Sequence, residues 1–310
     1  MRIYLNRKQR YMAWGGGIHF VNSIAKNANE FGHEIVGRNT LDVVNMLSGS
    51  GPEAILIVGL DSEVDHMSAD DIVIHRMTCP DVKLVLRVNE CDERKKTHGV
   101  DEKLLWLSEN VDGTIFVSNW MRDYFMQKGW KCKNNAVIRN GVDESVFHPE
   151  NPKSSSNKIR IVAHHWSDNR LKGADIYEKI DEFVKANSDR FEFTYIGRHR
   201  CRFTRSTKVI QPLFGDDLGE ELRKHDVYVS ASYADPGPNH ILEAISSGLP
   251  TYVHKAGGGC VEFAGQDHVF NDWSALEKIL LSGDYKPNDQ TIIRPWRDCV
   301  KETLDFVSSI

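Results

Sequence analysis

Ser230-Ala-Ser-Tyr-Ala-Asp235-Pro-Gly-Pro-Asn-His-Ile-Leu-Glu243-Ala-Ile-Ser-Ser-Gly-Leu-Pro250 holds two carboxylates eight positions apart, with a Pro/Gly turn between them. The residues leading into it, Asp226-Val-Tyr-Val-Ser230, read as a buried parallel strand. Pro236, Gly237 and Pro238 break that strand, and Pro238 suits the first turn of a helix, where a missing N–H costs nothing. Gly248 supplies a left-handed stop and Pro250 bars continuation, so a short helix is expected from Asn239 to Ser247. Asp235 then sits at the carboxyl end of a strand and Glu243 on the helix that follows. The free amides of Asn239, His240 and Ile241 point back to the strand end, a ready site for an anion such as a diphosphate. Taken alone, the stretch reads equally as a strand–turn–helix corner with two surface carboxylates.

The chain around it has 310 residues, enough for two domains. A hydrophobic content of 40% with 27% charged residues is that of a soluble globular protein. The net charge of −5 gives the whole molecule no electrostatic attraction to nucleic acid. Cys79, Cys91, Cys132, Cys201, Cys260 and Cys299 are scattered with no C-x-x-C pair, which argues against a zinc site and against a disulfide scaffold and fits a reducing cytosol. No run approaches the roughly 18 apolar residues of a membrane span, and Met1-Arg-Ile-Tyr-Leu-Asn6 reads as a strand, not a signal peptide. A cytoplasmic protein is the expectation.

Alternating short apolar runs and helical patterns indicate two parallel α/β domains. The first spans 1–140, with strands expected at 54–60, 82–88 and 113–118 and a helix over 19–31 ending at Gly32. Residues 141–158, rich in Asn, Gly, Pro and Ser, read as a linker. The second domain spans 159–290, with strands at 159–163, 191–196, 209–210, 227–229 and 251–253 and helices at 174–186, 216–224 and 239–247. Residues 291–310 end the chain in an amphipathic helix.

Asp235-x7-Glu243, followed by Ala244 and Ser247-Gly-Leu-Pro250, resembles the carboxylate-x7-Glu motif of glycosyltransferase family 4, retaining enzymes of the GT-B fold. That resemblance implies two Rossmann-like parallel-sheet domains facing a cleft, with a C-terminal helix crossing back to the first domain. It implies a nucleotide-sugar donor (a UDP- or GDP-sugar), a saccharide or glycoconjugate acceptor, no cofactor and no metal. By the same resemblance Glu243 holds the ribose and Asp235 the sugar. The backbone from Gly237 through Asn239, His240 and Ile241 holds the phosphates. Asp-Pro-Gly-Pro stands where the family has Glu-Pro-Phe-Gly, a shorter arm that bears on the identity of the sugar. Asn140-Gly-Val-Asp143 with Phe147 and Pro149 is similar to the family's interdomain connection.

Three further segments enter the site by resemblance. In Trp14-Gly15-Gly16-Gly17-Ile18, Gly16 and Gly17 fit a Gly-Gly pair near the donor phosphates; the bland reading is a tight strand–helix turn. His164-His-Trp-Ser-Asp-Asn-Arg-Leu-Lys172-Gly173 resembles the segment that presents Arg and Lys to the diphosphate. Lys172 matches, Ser167 replaces the upstream Arg, and Arg170 is the candidate substitute. Asn89, Glu90 and Asp92 follow a strand where relatives carry a His beside the sugar, and are the acceptor-side candidates, with His98 as runner-up; a solvated charged loop is the other reading.

Other readings have weaker footing in the residues. An NAD fingerprint needs a third glycine where Phe20 stands. Adjacent His164 and His165 diverge on a strand and make no metal pair. Arg198-His-Arg-Cys-Arg-Phe-Thr-Arg-Ser-Thr-Lys208 is the one dense basic run and keeps a nucleic-acid acceptor in view. A nucleotide-sugar epimerase shares the expected architecture, and a non-catalytic sugar-nucleotide-binding protein is the reading outside catalysis.

Overall fold

A computed structural model describes residues 1–12, 15–42, 44–45, 48–60, 67–149 and 157–310. Trp14 of the glycine run and residues 150–156 of the expected linker lie outside the described residues. The chain divides into two compact units. One comprises 1–92, 96–140 and 296–310, the other 93–95 and 141–295.

In the first unit the order is β1 (Arg2–Leu5), α1 (Gly16–Asn27), β2 (Glu34–Val36), β3 (Ala54–Ile57), α2 (Ala69–Thr78) and β4 (Lys83–Val88). There follow α3 (Asp92–Lys95, of which 93–95 group with the second unit), α4 (Val100–Ser108), β5 (Gly113–Phe116), α5 (Asn119–Gln127) and β6 (Asn135–Val137). The strands form one sheet in the order β2-β1-β3-β4-β5-β6, every pairing parallel. Alternating side chains divide between two cores. Ile55, Ile57, Leu84 and Leu86 pack with Ile72 of α2, Leu104 of α4 and Phe125 of α5. Ile3, Leu56, Val85 and Ile115 pack on the other face with Phe20 and Ile24 of α1.

The second unit contains β7 (Ile159–His165), α6 (Ala174–Ala186), β8 (Phe191–Gly197), β9 (Thr207–Ile210), α7 (Gly215–Arg223), β10 (Val227–Ser230) and α8 (Asn239–Ser246). It closes with β11 (Thr251–His254), α9 (Gly259–Ala264), β12 (Val269–Phe270) and α10 (Trp273–Ser282). Its sheet runs β12-β11-β10-β7-β8-β9, again all parallel. This is the doubly wound order, in which the connections reverse direction between β7 and β10. Gly248 takes φ 74°, and Leu249 N–H closes onto Ala244 O at 3.1 Å, the expected helix stop. Pro238 stands one place before α8, as its cap residue. The chain then returns to the first unit as α11 (Trp296–Ser309), whose Cys299, Val300, Leu304 and Val307 complete the α1-side core.

Residues 142–149 are not slack chain. Val142 and Phe147 are buried in the second unit's core, and Ser246 Oγ donates to Phe147 O at 2.5 Å. All six cysteines are free thiols. Among the described residues, no helix is long and apolar enough to cross a membrane.

Candidate active site

Open parallel sheets bind ligands outside the carboxyl ends of the strands where the winding reverses. In the second unit that point lies between β7 and β10, and two loops leave it.

The loop after β7 closes in a single 3₁₀ turn, Arg170–Lys172, with the Asn169 side chain accepting from Leu171 N–H at 2.9 Å. Gly173 follows at φ 97°, and a Cβ there would lie 2.2 Å from the Cβ of Ala231. Only glycine allows this turn to seat against the residue after β10, where Tyr233 N–H donates to Leu171 O at 2.8 Å.

The loop after β10 is fastened on its other side as well. Ala234, Asp235 and Gly259 exchange backbone hydrogen bonds with Ala256, Gly257 and Asp235 at 2.8, 3.0 and 2.8 Å. Ala234 is held at φ 47°, a region that costs a residue with a Cβ roughly 1–2 kcal/mol. Such strain persists where surrounding bonds over-determine it. Its result is to turn the Asp235 carboxylate toward the 3₁₀ turn, where Lys172 Nζ donates to Asp235 Oδ2. Asp235 is 4% exposed. Burial alone would raise its pKa, but the Lys172 ammonium, then the His240 ring, hold the carboxyl well below the usual range.

A second pair lies beside the first. His164, on the α8 side of β7, reaches Glu243 in α8, Nε2 to Oε2 at 2.8 Å. Three imidazoles sit among these groups, with ring centroids of His164 and His165 at 6.1 and 4.9 Å from that of His240. His165 bonds the Tyr177 hydroxyl at 2.6 Å and His240 bonds Ser230 Oγ at 2.9 Å. Burial depresses the pKa of both rings, His165 further by His240 and Lys172, and His240 by Lys172 against the pull of Asp235.

Several expectations are refined. No side chain caps α8 and its first turn carries no acid. Of the three amides expected to be free, that of Ile241 donates to Pro238 O at 3.2 Å. The His240 ring is turned inward to Ser230, so it is the backbone of this residue that lies at the start of α8. Arg170 lies apart from the two carboxylates. Its guanidinium donates to Arg200 O at 2.9 Å and pairs with Glu178 at 3.6 Å.

The remaining candidates belong to the first unit. A Cβ on Gly17 would lie 3.1 Å from both Arg7 Nη1 and Asn89 Nδ2, so α1 begins hard against these two side chains. Asn89 and Gly17 are thus brought together, and Arg7 joins them without any signal in the sequence pattern. Gly16 is the first residue of α1, and Glu90 lies two residues before α3. Asp92 has a structural task, which its place in a charged run concealed. Its carboxylate accepts from Thr97 Oγ1 and from the amides of Val100 and Asp101 at 2.8, 3.2 and 3.0 Å. Asp101 returns a bond to Asp92 N–H at 2.8 Å. His98 is exposed. Arg87, 2% exposed, was also missed: it stacks 3.9 Å over Phe20, donates to Asn140, and burial lowers its pKa to about 10.

The basic run folds back on acids of its own unit. Arg200 pairs with Asp168 at 2.9 Å, Arg198 stacks 4.1 Å over Trp166, and Asp181 accepts from Thr204 N–H and Thr207 Oγ1. Phe203, interleaved in that run, packs against Phe193 and Tyr195. Among the described residues, Asp235, His240 and Cys260 offer metal-ligating atoms within 4.8 Å of one another. The cation already bonded to that carboxylate is Lys172.

No protein-family model and no curated sequence matches the chain. Solved structures do. HepE of Anabaena, in complex with UDP and glucose, aligns over 100% of this chain and 99% of its own, with a TM-score of 0.73 at 16% identity. Sucrose-phosphate synthase of Thermosynechococcus elongatus aligns over 99% and 96%, with a TM-score of 0.65 at 11% identity. The pneumococcal O-GlcNAc transferase GtfA, in complex with UDP and GlcNAc, aligns over 86% of this chain and 59% of its own, with a TM-score of 0.64 at 11% identity. The chain therefore has the GT-B fold, built of two Rossmann-like parallel-sheet domains.

Two outcomes follow from this geometry. Gly173→Ala forces a left-handed alanine into contact with Ala231 and should cost roughly 2–5 kcal/mol, strain and overpacking together, read as a lowered urea midpoint. The buried rings of His165 and His240 have folded pKa values below their unfolded value of about 6.5, so the unfolded state binds more protons as pH falls below it. Their contribution to stability is complete above that pH and is lost as pH falls below it. Urea unfolding between pH 7 and 5 should show stability falling with pH, a fall to which the buried His225, with a pKa of about 4, also contributes, and substituting either His165 or His240 by Gln should lessen it.

Proposed function

We propose that this chain is a retaining glycosyltransferase that moves a hexose from a UDP-sugar to a hydroxyl of a saccharide or glycoconjugate. The observation that carries the reading is the placement of Lys172–Asp235 and His164–Glu243 side by side at the carboxyl ends of β7 and β10. The fold is one in which HepE and GtfA hold UDP, which favours uridine over guanosine as the donor base.

In this reading Glu243 accepts the ribose hydroxyls, Asp235 accepts from the sugar, and Lys172 and the N-terminus of α8 receive the diphosphate. Lys172 has two anionic partners in turn. It neutralises Asp235 before the donor arrives, and its ammonium lies where a phosphate oxygen gains charge as the glycosidic bond breaks. A preorganised cation and a helix N-terminus stabilise that charge without reorganisation at the moment of reaction. Retention is assigned from the resemblance to glycosyltransferase family 4. Attack from the face of the leaving group lets the departing phosphate take the acceptor proton, with no dedicated base. Arg170, paired with Glu178, is a secondary contributor at most, and Asn89 with Glu90 remains the acceptor-side assignment. The tethering of Arg198 and Arg200 favours a saccharide over a nucleic-acid acceptor. We place the enzyme in the cytoplasm on its six free thiols.

The test is a thermal-shift screen against UDP- and GDP-sugars, followed by transfer to saccharide acceptors. A donor at 100 times its Kd should stabilise the fold by about 2.7 kcal/mol. Product linkage by NMR should show the donor's anomeric configuration kept. Lys172→Ala should lower kcat roughly 100- to 1000-fold, with a smaller rise in KM. Turnover should survive EDTA. Stabilisation by no nucleotide-sugar would overturn the reading, and an altered sugar without any acceptor would make the chain an epimerase. Loss of activity to chelator, restored by manganese, would return the divalent cation to Asp235, His240 and Cys260.

A further inference from the structure

We infer that His164 is a positioning residue that locks the Glu243 carboxylate in the orientation that receives the donor ribose; the inference rests on the ribose role proposed above for Glu243. His164 is the last residue but one of β7, a strand otherwise apolar from Ile161 to Ala163 and buried there. An imidazole at this depth is costly unless it bonds.

Its place is fixed before Glu243 is considered. The Tyr228 hydroxyl, on the neighbouring strand β10, accepts from His164 N–H and donates to His164 O, both at 3.2 Å. The two rings meet edge to face at 5.4 Å. The backbone from which the imidazole projects is thus held by the sheet, and its ring packs on that of Tyr228. The tautomer follows from what surrounds the other nitrogen. Nδ1 is buried and has no hydrogen-bond partner, so a proton there would be an unsatisfied buried donor. The proton lies on Nε2 and is donated to Glu243 Oε2 at 2.8 Å. Glu243 itself rides on an eight-residue helix whose neighbours Leu242, Ala244 and Ile245 are buried, and three rotatable bonds separate its carboxylate from that frame. The bond from His164 removes most of that freedom ahead of binding, which is the form of preorganisation that lowers the entropic cost of recognition. The unpaired Nδ1 is a cost that an apolar residue at this strand position would not carry, and it accompanies the one contact that an apolar residue could not make.

The experiment is calorimetric titration of UDP and of 2′,3′-dideoxy-UDP into the full chain and its variants. Gln places an amide N–H near the position of Nε2, whereas Asn reaches only that of Nδ1. His164→Ala and His164→Asn should weaken UDP roughly tenfold, and His164→Gln should recover most of the loss. None of the three should change the affinity for dideoxy-UDP, since the coupling runs through the ribose hydroxyls. A structural role alone would weaken both nucleotides together and would make Gln no better than Ala; either pattern overturns the inference. Glu243→Gln separates the two levels of argument. If it leaves UDP affinity intact, the ribose role falls and the inference with it. If it weakens UDP while His164→Ala does not, the inference alone falls. Should the variants fail to fold, ¹⁵N-histidine NMR of the unaltered protein decides: an Nε2–H tautomer at His164 that responds to UDP but not to dideoxy-UDP is expected, and an Nδ1–H tautomer overturns it.

Discussion

The ion pair between Lys172 and Asp235 sets the terms for everything around it. A carboxylate removed from water needs a compensating cation, and the two groups stand 63 residues apart on different loops. Bringing them together requires each loop to be held more tightly than a connection usually is. Gly173 lets one loop sit against Ala231, and Tyr233 bonds across to Leu171. The other loop is stitched to 256–259 through backbone bonds that keep Ala234 in a strained conformation. A short aspartate arm suits this arrangement, because the backbone delivers it to the ammonium and little reach is needed. The strain at Ala234 is local to the loop that carries Asp235.

Two carboxylates, one ammonium and three imidazoles crowd the same strand ends, and the protein manages their charge in different ways. Asp235 is kept ionised by a cation. His165 and His240 are kept neutral by burial and by the nearby Lys172 ammonium. His164 spends its proton on Glu243.

Much of the fold was legible because it rests on short-range patterns. β-branched runs such as Ala54-Ile-Leu-Ile57, the glycine stops at Gly32 and Gly248, and the 3.6-residue spacing of α6 are local signals, and each element lies within a few residues of its expected place. The motif Asp235-x7-Glu243 likewise announced its two carboxylates. Contacts across the chain were another matter. His164 and Glu243 are 79 residues apart, and nothing in a histidine's neighbours says which carboxylate it will meet. Asp92 and Arg170 were read from their charge and their place after a strand. Yet Asp92 caps a turn with Thr97, Val100 and Asp101, and Arg170 turns to Glu178, pairings that depend on three-dimensional proximity. The linker misled for the opposite reason: its turn-forming residues are real, but Val142 and Phe147 within it are core residues.

The return of α11 to the first unit has a consequence for how the chain is made. The sheet of that unit is complete by Val137, yet its α1-side core still lacks Cys299, Val300, Leu304 and Val307. On the ribosome, that apolar face must wait through the synthesis of more than 150 residues for its cover, since α11 starts at Trp296. The second unit, by contrast, is contiguous from Gly141 to Pro295 apart from residues 93–95, and its strands and helices all emerge before the last helix of the first. The half translated first is therefore the half finished last, and an exposed hydrophobic sheet face during that interval is the natural client of a chaperone.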